Sequence, residues 1–199
     1  MKKTILLLAA VCFMTFILID SCFAADGTAT EEVLVQDSGN ATSFTISGSV
    51  RTSVLSPLAE TVKFTPPRPG WTLEKVEIVG WDGYIEGEPL PEEQIICLEI
   101  RDENLNLLYR FTDSQLPYFS APGKLGITDI EIPSMTMNGD FYICFYDRGA
   151  VRLGVDWNEV SGNSYHFNTL TGELRPAEIA VEDSDDPLPV NWLIRAIGH

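Results

Sequence analysis

The sequence predicts an all-β protein, a two-sheet antiparallel β-sandwich of jelly-roll type, and three observations carry that prediction. Short runs that alternate apolar with polar side chains recur at close intervals from Phe44 to Ile197. Clusters of Gly, Pro, Asn and Asp punctuate them, as turns between strands require. After the N-terminal apolar run, no stretch shows the spacing of a ten-residue amphipathic helix. Two facing sheets are the architecture that buries one side of each such ribbon.

The N-terminus reads as an export signal over residues 1–24. Lys2 and Lys3 precede the apolar run Ile5 to Ile19, and small residues follow at its exit. Crossing a bilayer takes about 20 apolar residues, so this run is short for a membrane span. Two cleavages compete. Cutting after Ala24 or Ala25 frees a soluble chain, whereas Ile19-Asp20-Ser21-Cys22 resembles a lipoprotein box in which Cys22 carries a lipid anchor. Either outcome places the mature protein in the periplasm, at the cell surface or in the medium, without a transmembrane span.

Residues 25–40 are small, polar and acidic and are expected to form a flexible lead, with Asn40-Ala41-Thr42 fitting a glycosylation sequon. Residues 41–199 are then expected to form one sandwich domain, a length sufficient for a single hydrophobic core. Phe44 to Val50 and Glu60 to Thr65 alternate around apolar positions, and Pro66, Pro67 and Pro69 stop the second of these. Trp71 to Val79 has period two with Leu73 or Val76 inward beside Ile78. Gln94 to Arg101 and Leu107 to Phe111 flank a turn and read as a hairpin. Tyr118-Phe119 and Leu125 to Ile132 are weaker strand signals. Phe141 to Asp147 has two aromatic faces, the mark of a central strand. Val151 to Asp156, Ser164 to Phe167, Ala177 to Val181 and Trp192 to Ile197 complete the set, the last too apolar to fray.

A formal charge of −16 repels phosphate backbones, so nucleic acid is excluded as a partner class. An acidic surface attracts cations and basic partners. With Cys12 and Cys22 in the signal, Cys97 and Cys144 remain; they form either a disulfide, which an exported protein permits, or two separate thiols.

Gly139-Asp140-Phe141-Tyr142-Ile143-Cys144-Phe145, followed by Leu153-Gly154-Val155-Asp156, Gly162-Asn163-Ser164-Tyr165 and Asn191-Trp192-Leu193-Ile194-Arg195-Ala196, resembles a jelly-roll β-sandwich module of secreted archaeal and bacterial proteins, mostly of unknown function. The resemblance implies that these segments are inner and final strands. It implies no chemistry, because a fold does not specify a function.

No catalytic residues are expected. His166 alternates with Tyr165 and Phe167 in a strand, His199 is terminal and expected to be mobile, and no serine has a nucleophile-elbow pattern. Acids are too abundant to single out a glycosidase pair. The expected role is therefore protein interaction or adhesion at the cell surface, with an unidentified surface protein or glycan as partner. The alternative is a carbohydrate-binding module in which Trp81, Tyr84 and Trp157 present aromatic faces to sugar rings. No cofactor is required. Calcium is the one candidate ion, with Asp156, Asp183, Asp185 and Asp186 supplying oxygens, although Glu182 to Asp186 lacks the spacing of an EF-hand.

Overall fold

Fifteen strands and one short helix form among the described residues of the computed structural model, which are 30–38, 58–120, 126–180 and 186–199. The export segment with Cys22, the sequon at Asn40, the expected strand Phe44 to Val50, and Asp183 and Asp185 lie outside the described residues. The elements below all belong to the unit Glu31–His199.

In chain order the strands are β1 (Glu32–Leu34), β2 (Leu58–Phe64), β3 (Trp71–Trp81), β4 (Ile95–Asp102) and β5 (Leu107–Ser114), then helix α1 (Leu116–Phe119). There follow β6 (Ile127–Met137), β7 (Phe141–Tyr146), β8 (Arg152–Leu153), β9 (Val155–Asp156) and β10 (Ser164–Asn168). The chain ends with β11 (Glu173–Pro176), β12 (Glu178–Ile179), β13 (Leu188–Pro189), β14 (Asn191–Trp192) and β15 (Ile194–Gly198). One sheet runs β1-β15-β3-β6, with β8 beside the end of β3; the other runs β11-β10-β2-β7-β4-β5. Two small antiparallel pairs, β12 with β13 and β9 with β14, complete the set.

Strand β7 is central, as its two aromatic faces predict. Phe141, Ile143 and Phe145 point inward with Val62 and Phe64 of β2 and Ile96, Leu98 and Ile100 of β4. Across the interface stand Trp71, Leu73, Val76 and Ile78 of β3, Ile130 and Ile132 of β6, and Ile194 and Ala196 of β15. Each such side chain removed from water stabilises the fold by about 1.5–3 kcal/mol.

The phase ambiguity on β3 has a structural cause. Leu73 and Val76 are both buried because the register with β15 shifts, Lys75 facing Ile197 and Leu73 facing Gly198, so that one extra residue on β3 moves its inward row. Pro133 lies in the matching stretch of β6. This is an edge strand, where a missing N–H donor is tolerated.

Three expectations are corrected. Glu32–Leu34, assigned to a flexible lead, is a strand paired with β15. Its neighbourhood is tied down by charge: Glu31 binds Lys75, Glu32 binds Arg68 and the Trp71 indole, and Asp37 binds Arg195. Tyr118-Phe119 is helical, with Pro117 in the first turn, where its missing N–H costs nothing. His199 is anchored, since its backbone exchanges hydrogen bonds with Thr72 at 2.8 and 3.0 Å and its ring lies 3.3 Å from Glu74.

The outer face of the six-stranded sheet is also partly dry. Ala59, Cys97, Cys144, Tyr146 and Phe167 form a second cluster there. Glu99, 2% exposed, accepts from Arg101, Arg110 and the Tyr146 hydroxyl. Burial alone would raise its pKa, but these three donors together hold the carboxyl below the ordinary range. Cys97 and Cys144 are free thiols rather than a disulfide. Cys97 lies opposite Tyr146 and Cys144 opposite Glu99, so the two are diagonal neighbours. Diagonal positions are separated by about 7–8 Å, beyond the reach of a bridge. Burial raises both thiol pKa values, that of Cys144 to about 12.

Phe145→Ala is expected to cost about 3–5 kcal/mol, measured from the urea midpoint. Alkylation should modify Cys97 and Cys144 only after unfolding and without prior reduction. Labelling that required a reductant would show a bridge.

Candidate functional site

The inward row of β2 runs Phe64, Val62, Glu60, so strict alternation places a carboxylate where the next core residue would stand. Glu60 pairs directly with Phe145 of β7 and His166 of β10. Asp147, two residues on from Phe145 and just past the end of β7, lines the same cleft as Glu60. Two carboxyls thus come together at the end of the core, Glu60 on β2 and Asp147 at the exit of β7.

Asp147 also opens the turn from β7 toward β8. Its carbonyl accepts the Ala150 N–H at 2.8 Å and its Oδ1 accepts the Gly149 N–H at 3.0 Å. The central residues Arg148 and Gly149 have φ of 52° and 79°, the double left-handed bend that follows strand twist in tight hairpins. Glycine adopts this freely; Arg148 does so at a cost.

These groups border a cleft of about 160 Å³. Glu60 and Asp147 form one side. Trp81, Asp82 and Arg152 form the rim, and Val151, Leu153, Val155, Ile179 and Trp192 give an apolar floor. Trp81 is half-buried. Its indole N–H donates to the Tyr84 carbonyl at 2.8 Å, and the Arg152 guanidinium lies 5.5 Å from its ring centroid. Trp192 is buried, donates to the Tyr165 carbonyl at 2.9 Å and meets the His166 ring edge-on at 5.3 Å. Asp82 is occupied, accepting from Tyr84 N–H and from the Ser120 hydroxyl.

Glu60 is not satisfied in this way. It is 8% exposed, and its Oε2 has no hydrogen-bond partner among the described residues. Burial first, and then the charge of Asp147, push its pKa well above the usual carboxylate range. Burial likewise raises Asp147, against the opposing Gly149 bond.

No family model matches this chain, and no curated protein matches its sequence. The site must therefore be read from its own chemistry.

The structure brings together only part of the residue set singled out from sequence. Trp81 lines the cleft. Tyr84 contributes its carbonyl to holding Trp81 and is not among the residues lining it. Trp157 is packed against the core. Asp156 is buried and accepts the Ser38 and Asn158 amides at 2.7 and 3.0 Å. Although burial pushes its pKa up, those bonds hold it below the ordinary range, so its oxygens cap loop amides. Among the described residues no group of three or more His, Cys, Asp or Glu is arranged to hold a metal ion. No helix there is long and apolar enough to cross a membrane. Glu60 and Asp147 were not singled out from sequence. The available signal was phase: each acid lies two residues from an inward apolar residue.

Glu60 and Asp147 bind protons more readily in the folded than in the unfolded chain. Stability therefore falls as pH rises from about 4 through their folded pKa values. Glu60→Gln should remove much of that fall. The variant is expected to be more stable by roughly 1–2 kcal/mol at pH 8 and close to the parent at pH 4, by urea denaturation. A lower midpoint at pH 8 would show that the Glu60 oxygen holds the fold together.

Proposed function

We propose that this chain is a non-catalytic, exported binding module that takes a compact saccharide unit into the cleft beneath Trp81. The observation carrying the reading is the unpartnered, buried Glu60 oxygen beside an indole held in place at the rim. Carbohydrate sites combine an aromatic face for the ring with polar groups for its hydroxyls, and pockets generally use a few convergent polar groups on apolar walls. The cleft volume of about 160 Å³ is on the scale of one six-membered ring, since engineered cavities of about 150 Å³ take benzene.

Two features favour binding over catalysis. Glycoside hydrolysis divides labour between a protonated acid and an ionised partner held in contrasting environments. Here burial moves both Glu60 and Asp147 upward. His166, the histidine nearest the pair in register, directs Nε2–H at the Glu178 carbonyl, 3.3 Å away.

On a glycan array the folded protein is expected to retain a defined subset of sugars and to lose them with Trp81→Ala. Turnover of substrates in a broad hydrolase panel, or an array without retained sugars, would contradict the reading.

A further inference from the structure

We infer that the cleft seats a primary ammonium group, held between Glu60 and Asp147, so that the saccharide it prefers is an amino sugar. This rests on the binding reading above but adds the charge of the group recognised.

The groups facing Glu60 from each surrounding element leave a deficit of positive charge. From β10, His166 stands directly opposite and its Nε2–H is turned to the Glu178 carbonyl. From the turn after β7, Asp147 adds a second carboxyl to the cleft lining. From the rim, Asp82 adds a third, occupied by Tyr84 and Ser120. Arg152 is the one cation among the described residues lining the cleft, and it lies over Trp81 on the exposed rim. The whole chain carries −16, a field that concentrates cations and repels anionic ligands.

A neutral hydroxyl would satisfy the Glu60 oxygen without lifting the cost of holding two ionised carboxyls side by side. An ammonium group relieves both at once, because its three donors can reach both carboxylates and its charge offsets theirs. The aromatic and aliphatic floor suits the carbon ring that carries it. Binding would ionise the pair, and the proton released would pass to the buffer.

Calorimetric titration of the purified chain with glucosamine, N-acetylglucosamine, glucose and cyclohexylammonium tests this. Glucosamine is expected to bind at least roughly tenfold more tightly than glucose or N-acetylglucosamine. Its apparent enthalpy should vary with the ionisation heat of the buffer. Glu60→Gln, confirmed as folded by its denaturation curve, should abolish the preference, and Asp147→Asn should weaken it. Equal affinity for glucose and glucosamine, or a preference that survives Glu60→Gln, would overturn the ammonium seat and leave the saccharide reading standing. Glu60-dependent binding of cyclohexylammonium without binding of any sugar would support the seat and overturn the saccharide reading. No binding by any of the four would overturn both.

Discussion

The two-residue period of a strand is the constraint from which the core and the cleft both follow. On β2 it aligns Phe64, Val62 and Glu60; on β7 it aligns Phe141, Ile143 and Phe145, and Asp147 follows just past the strand's end. A one-residue slip would exchange these rows for Lys63, Thr61 and Ala59 and for Tyr142, Cys144 and Tyr146. Packing of Phe64, Phe141 and Trp71, whose rings stack at 5.6 and 6.1 Å, fixes the apolar end of the rows. The acidic end of the β2 row is thereby forced inward. Glu60 is buried, with Asp147 half-buried beside it, because the register that fills the core turns this end of β2 inward.

The six-stranded sheet offers a comparison between two buried glutamates. Glu99 on its outer face has three donors, and its charge is supported by Arg101 and Arg110. Glu60 on its inner face has a like-charged neighbour and an oxygen without a donor. Desolvation acts on both, but pairing reverses its effect in the first and is absent in the second. Acid should therefore weaken the outer network, because Glu99 contributes stability that is lost as pH falls through its depressed pKa. Acid relieves the inner pair instead. A polar group left unsatisfied where the other buried side-chain oxygens and nitrogens of the described residues have partners is where a ligand contributes most.

Periodicity made the fold class legible. The alternation on β7 and the apolar run of β15 are visible residue by residue, and both strands lie inside sheets. The bulge after Leu73 hid the phase of β3, because a shift in register leaves only two candidate inward residues in the sequence. The acidic lead looked flexible because its partners, Lys75, Arg68 and Arg195, are distant in the chain and meet it only once the sheet has formed. The site was harder. Trp81, Tyr84 and Trp157 drew attention as aromatic faces, of which Trp81 alone lies at the cleft rim, while Trp157 packs against the core. Asp156 looked like a ligand, but the amides of Ser38 and Asn158 occupy it. The informative anomaly was an acid in phase with a core row, and its meaning depends on whether a partner faces it across the sandwich.

The ionisation of Glu60 tests this account most directly. In a carboxyl-selective NMR titration of the folded chain, its side-chain carbon is expected to change shift well above the ordinary carboxylate range, with Asp147 also displaced upward. A Glu60 resonance that titrated near pH 4, as an exposed glutamate does, would mean that the acid faces water or a cation and that the inward row of β2 does not end in a buried carboxyl.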